Sequence, residues 1–313
     1  MHITKSAEKI TPFGGFNFCF NSFHDSGLAG LMEEHLGDRV KTVGFSYSDI
    51  LANQMGIFFA GGDCAEDINE HLRGPFEQIP GMNVCSADTI LRGIKELSCP
   101  STELVNPDSG VAHQFNINDP LNELLGKALR ATGPLKTDTP YTLDYDNQVI
   151  PTQKWDAART YKTSYGYQPG VASINNMPVY IEGRNGNSQA KYAQEDPLRR
   201  AFGHLADNQI TIGRFRADSA SYQKDVVKVV GDNCERFYIR AKRSAGMDEH
   251  IRALPGQDWK QIKPGPRKWT WPISAPTSLL AAPLATGWSS AGSSAVMLSQ
   301  TCWSEGPTPG GPS

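Results

Sequence analysis

The chain has 313 residues, 39% of them hydrophobic and 20% charged, enough for about two domains with real cores and unlike either a disordered polyelectrolyte or a coiled coil. Thirty basic residues against thirty-three acidic ones give a net charge of −3, which excludes polyanion binding by bulk charge and leaves only a local basic surface. That surface belongs in the middle of the chain: residues 1–139 carry ten Lys/Arg and eighteen Asp/Glu, residues 140–263 eighteen and fourteen, and residues 264–313 two and one.

At the start, Lys5, Glu8 and Lys9 precede Thr11-Pro-Phe-Gly-Gly15 with no apolar run, so no signal peptide is expected. The cysteines at 19, 64, 85, 99, 234 and 302 show no Cys-x-x-Cys pair and no His at zinc-finger distance. Free thiols in a reducing, cytoplasmic compartment are expected, with no structural zinc.

Residues 22–132 read as mostly helical. Ser48 or Asp49 can cap a helix running to Ala60, with Ile50, Leu51, Met55 and Phe58 on one face and Gly61-Gly62 ending it. Asp63 can cap a second, with Cys64, Ile68 and Leu72 in line and Gly74-Pro75 as its stop. Ser86 can cap a third, burying Ile90, Leu91, Ile94 and Leu97 and leaving Arg92 and Lys95 outside. Leu121, Leu124, Leu125, Ala128 and Leu129 mark a fourth. The third could be a DNA-recognition helix that uses Arg92 and Lys95. However, about thirteen residues separate it from its predecessor, where a helix-turn-helix has three or four. The competing reading is an ordinary bundle helix.

From residue 140 the period becomes that of strands. Residues 141–146, 170–174 and 177–182 read as three strands, the last two joined by Asn175-Asn176. A helix follows over 196–207, then a strand over 210–217, a helix over 219–230, a strand over 236–240 and a helix starting near Asp248. Three consecutive strands suit a meander, and the strand-helix-strand steps suit parallel crossovers onto the same sheet. That order predicts a ribonuclease-H-like mixed α/β sheet behind a mainly helical N-terminal domain. The domains are then 1–132, 133–263 and an irregular tail over 264–313. The tail holds eight Pro, nine Ser, six Gly and four of the six Trp, with no charge from Trp269 to Ser304. Its prolines exclude a membrane span, and its abrupt change in composition favours sequence foreign to the fold, as after a shifted reading frame.

Alternation places Asp144 and Asp146 on one face of the first strand, and Asp218 ends the fourth. If these strands are neighbours the carboxylates crowd, which is costly without a cation. Oxygen-only ligands select Mg2+ or Mn2+, the ions of phosphodiester transfer. The competing reading is that Asp218 caps the helix after it. Nearby basic residues, Arg184, Arg214, Arg216, Arg240 and Lys242 among them, suit phosphate contacts.

With these features the sequence resembles the DDE transposases of bacterial insertion sequences. The resemblance is carried by Thr11-Pro-Phe-Gly-Gly-Phe16, Ser86-Ala-Asp-Thr-Ile-Leu-Arg92, Leu143-Asp-Tyr-Asp-Asn147, Gly166-Tyr-Gln-Pro169, Arg184-Asn-Gly-Asn-Ser188 and Arg216-Ala-Asp-Ser-Ala220. It implies Asp146 and Asp218 as metal-binding catalytic acids, with Asp144 as the alternative to Asp146. It also implies the double-stranded DNA ends of a mobile element as substrate, a homodimer on paired ends and a place at the bacterial nucleoid. The family's third acid, a Glu in a Tyr-x2-Arg-x3-Glu setting, has no counterpart; Glu249 matches the start of an inserted region instead. A transposase short of one acid, with impaired strand transfer, is therefore expected. The alternatives are a non-cutting DNA-binding remnant and a stand-alone nuclease using Glu249.

Overall fold

The computed structural model describes residues 11–39, 44–240, 245–253, 255, 259–263, 269–272 and 294–298. They fall into two compact units. One comprises residues 1–100 and 118–135, the other residues 101–117 and 136–313. No helix among the described residues is long and apolar enough to cross a membrane.

The first unit is helical: α1 (Phe16–Asp25), α2 (Leu28–Leu36), α3 (Tyr47–Phe59), a π-helical turn (Ile68–Leu72) running into α4 (Arg73–Phe76), α5 (Ala87–Glu96) and α6 (Asp119–Ala131). Its main core gathers Phe16, Phe20, Ile57, Ile68, Leu72, Phe76 and Ile90, with the Phe16 and Phe76 rings stacked at 4.9 Å. Burying each such side chain is worth about 1.5–3 kcal/mol. The sequence placed α3, α5 and α6 but not α1 or α2 individually, and it missed details of the rest. Helix α3 starts earlier than expected, at the capping box of Ser46 and Asp49. Phe58 faces solvent and Ile57 takes the buried place. No helix starts at Asp63. Instead the Asp67 carboxylate accepts the Asp63 and Cys64 amides in a turn, and Gly74-Pro75 lie inside α4. Helix α5 does start at Ser86, but it buries Ala87, Ile90 and Gly93 while Leu91 and Ile94 are exposed. Gly93 sets that face, because a Cβ there would strike Ile50 of α3. The helix turns its smallest residue toward its neighbour.

The second unit is built on one large sheet. It opens with a hairpin, β1 (Thr102–Val105) and β2 (Ala112–Asn116), then β3 (Tyr141–Asn147). A three-stranded sheet of β4 (Ile150–Pro151), β5 (Ala158–Arg159) and β6 (Tyr165–Tyr167) is inserted before β7 (Gly170–Ile174) and β8 (Met177–Arg184). Then come α7 (Glu195–Asp207), β9 (Ile212–Ala217), a 3-10 turn (Ser219–Ser221), α8 (Lys224–Asn233), β10 (Arg236–Arg240) and α9 (Ala245–Ala253). β11 (Trp259–Lys263) follows, and the tail, read as irregular, contributes β12 (Trp269–Pro272) and β13 (Ser294–Leu298).

The strand order is β1-β2-β8-β7-β3-β9-β10-β13. Antiparallel pairing joins β8 to β7 and β7 to β3, while β9 lies parallel to β3 and β10 parallel to β9. The five predicted strands thus stand third, second, first, fourth, fifth, the ribonuclease-H-like arrangement. The turn between β7 and β8 uses positive φ at Asn175 (52°) and Asn176 (64°), as a two-residue hairpin requires. One face of the sheet is apolar: Leu143, Phe215, Phe237 and Ile239 are buried with Leu198, Phe202 and Leu205 of α7 and Val226 and Val230 of α8. The β1–β2 hairpin falls in the stretch read as helical, yet it extends this sheet through Phe115, which pairs with Arg184.

Candidate functional site

Two parallel strands decide the site. In the β3–β9 register Asp144 faces Arg216 and Tyr145 faces Ala217. One residue beyond that last pair come Asp146, still within β3, and Asp218, just past the end of β9. Their proximity is felt electrostatically. Burial raises the Asp146 pKa above the ordinary Asp value, and the negative charge of Asp218 adds to the rise. The Asn147 amide, which donates to Asp146 Oδ1 at 2.8 Å, and the Lys162 ammonium both oppose it. Asp218 Oδ1 accepts the Ala220 amide at 2.8 Å, so this residue caps the following turn as well as facing Asp146. The capping and site readings are compatible, since a carboxylate has about four lone-pair positions.

Asp144 is taken out of this pair. Arg216 Nε donates to its Oδ1 at 2.6 Å and Arg216 Nη2 to its Oδ2 at 2.7 Å, a two-point ion pair. Of the two candidates for the first acid, Asp144 is therefore the one held by a guanidinium.

The sheet face that carries Asp144 and Asp146 is rich in arginine. Arg214 pairs with Thr142 and with Arg236, and Tyr238 pairs with Arg216. Arg214, Arg216, Arg236 and Arg240 are all exposed there. Arg92 and Lys95 are exposed on α5, in the other unit. Arg184 does not belong to this surface. It is 2% exposed, lies over the Phe115 ring at 4.8 Å, and donates to the carbonyls of Tyr192 (2.7 Å) and Ala193 (3.0 Å). Its acid partner is the buried Glu182 at 3.7 Å, shared with Arg200. Its expected contact with DNA is corrected to a structural role, because none of its nitrogens reaches the surface that a phosphate would meet. Lys242 lies outside the described residues.

Asp146 and Asp218 suit a hard divalent cation: the donors are oxygen only, solvent-accessible and mutually repelling. Among the described residues no third acidic, imidazole or thiol ligand completes a group of three with them. The one such group, Asp63, Cys64 and Asp67, is the turn in which Asp67 caps two amides. Sequence reasoning missed Lys162, whose charge reaches Asp146. Its signal was the interleaving of Lys154, Arg159 and Lys162 with Trp155, Tyr161 and Tyr165.

No protein-family model matches the chain, and no curated protein matches it. Two solved structures are similar to it. The Drosophila P element transposase strand transfer complex is 12% identical with a TM-score of 0.32, over 79% of this chain and 52% of that one. The piggyBac transposase synaptic complex with hairpin DNA is 13% identical with a TM-score of 0.32, over 81% and 57%. The chain thus spans little more than half the length of either.

Proposed function

We propose that the chain is a transposase-type DNA recombination protein whose second unit cleaves phosphodiester bonds with Mg2+ or Mn2+ held by Asp146 and Asp218. The observation that carries this reading is the parallel β3–β9 register, whose last pair, Tyr145 with Ala217, comes one residue before both carboxylates, on a face with an exposed row of arginines. When bound, such an ion lowers the pKa of an attacking water or hydroxyl and neutralises charge on the phosphate. The chain's own part is positional. Strand ends fix the two acids, Arg214, Arg236 and Arg240 offer guanidinium groups to phosphate oxygens, and Arg216 holds Asp144 out of the way. The finer reading, of a bacterial insertion-sequence enzyme acting in the cytoplasm as a homodimer on paired element ends, rests on the sequence resemblance alone.

Supercoiled plasmid with Mn2+ is the direct test. Nicking by the full chain should fall about a hundredfold or more in Asp218→Asn, since removing a metal ligand typically costs several kcal/mol, and should persist in Asp144→Asn. Equal nicking by wild type and Asp218→Asn would remove the proposed chemistry. The absence of a third acid beside the pair among the described residues favours a second reading, a DNA-binding relative that does not cut. Duplex binding without nicking by wild type would establish it.

A further inference from the structure

Between Asp146 and β7 the chain builds the small sheet β4-β6-β5, and the rest of the unit holds it in place. Asn185 Oδ1 accepts the Ala158 amide at 2.8 Å and the Gly186 amide at 2.7 Å, while Asn185 Nδ2 donates to the Asp156 carbonyl at 3.1 Å. Gly186 lies against the Ala158 and Gly166 carbonyls, where any Cβ would collide. The Thr160 amide donates to the Ser164 carbonyl at 2.8 Å and closes a tight hairpin tip. The segment's one acid, Asp156, accepts the Tyr167 hydroxyl at 2.7 Å.

This fixed scaffold points its large rings outward. Trp155 is 97% exposed, Tyr161 71% and Tyr165 62%. Lys154, Arg159 and Lys162 are exposed among them. Trp155, Tyr165 and Lys154 line one open concavity of about 690 Å3, and Arg159 is the cross-strand partner of Tyr165. Scattered exposed rings are ordinary. Three rings interleaved with three cations on a braced sheet and its loops are the composition of a groove that stacks bases and tracks a phosphate backbone. Charge complementarity selects a polyanion, three cations standing against one engaged acid. The ring faces select an unpaired strand, because in a duplex the base faces are already stacked on one another.

We propose that β4-β6-β5 is a single-strand-binding platform, in which Trp155 and Tyr165 stack unpaired bases and Arg159 and Lys162 hold the adjoining phosphates. The platform leads directly off β3, which carries Asp146 one residue before its end, so a strand seated on it lies beside the carboxylate pair. This placement rests on the cleavage reading above; the binding itself does not.

The test is fluorescence anisotropy of the full chain in EDTA, with a fluorescein-labelled oligothymidylate and a blunt duplex as separate probes. The double variant Trp155→Ala/Tyr165→Ala should weaken single-strand binding by about tenfold or more and leave duplex binding within about twofold, while Trp155→Phe keeps most of the single-strand affinity. Unchanged single-strand binding, or equal loss for both probes with an unchanged melting curve, overturns the proposal. So does a wild type that ignores the single strand, the result expected if the patch docks a protein instead. If the double variant melts early, wild-type quenching of a 2-aminopurine oligonucleotide decides: quenching supports stacking and its absence refutes it. The two readings fail separately. Nicking in Mn2+ with ring-independent single-strand binding sinks the platform alone. Ring-dependent binding without nicking sinks the cleavage reading alone.

Discussion

Asp146 is a costly residue for the fold to keep. Burial and the neighbouring Asp218 raise its pKa, and the Asn147 amide and Lys162 only partly compensate. A carboxyl whose pKa is higher folded than unfolded binds more protons in the native state, so its contribution to stability falls as pH climbs from the ordinary Asp value through the raised one. Asp146→Asn should therefore raise the melting temperature at neutral pH by about a degree or two, with the difference vanishing in acid. Thermal melts across pH check this, and an unchanged melt at neutral pH contradicts it. Single residues were only partly legible in the sequence. Alternation put Asp144 and Asp146 on one face, but only the cross-strand partner Arg216 separates their surroundings. Arg184 was misread because its letter shows charge and not depth, and its depth is set by Phe115 on the neighbouring strand β2 and by Glu182, two residues back on its own strand.

At the scale of elements, the strands with strong apolar alternation were placed to within a residue or two, and the Asn175-Asn176 turn was read from its chemistry. The missed pieces share a physical cause. Strands β4, β5 and β6 are two or three residues long, too short to show a period. All four residues of β1 are exposed, and β2 is recruited by β8 rather than by its own pattern. The face of α5 was misjudged because hydrophobicity alone cannot weigh the gap that Gly93 leaves for Ile50. Glycine acts in the same way at the site. Gly170, opposite Asn147, lies where a Cβ would strike the buried Tyr145 hydroxyl. Burial holds that phenol's pKa up to about 12. Gly170→Ala should cost about 1–3 kcal/mol through overpacking, measured by urea denaturation, and should loosen β3 just before Asp146. A cost near zero would mean that Tyr145 swings clear.

Over the whole molecule, the charge segregation visible in the sequence becomes a surface with a defined place. The net-positive stretch forms the sheet that bears the exposed arginines, and the acidic stretch supplies most of the helical unit. If that sheet face meets phosphates, each arginine contributes to counterion release. Arg214→Ala should weaken duplex binding regardless of sequence and reduce the slope of log affinity against log salt by about 0.9. An unchanged slope would move the interface elsewhere. The cleavage reading depends on two carboxylates sharing one divalent ion, and isothermal titration of Mn2+ into the full chain tests that most directly. Binding heat in wild type and Asp144→Asn, lost in Asp146→Asn and in Asp218→Asn, is the predicted result. Equal heats in all four proteins would contradict it.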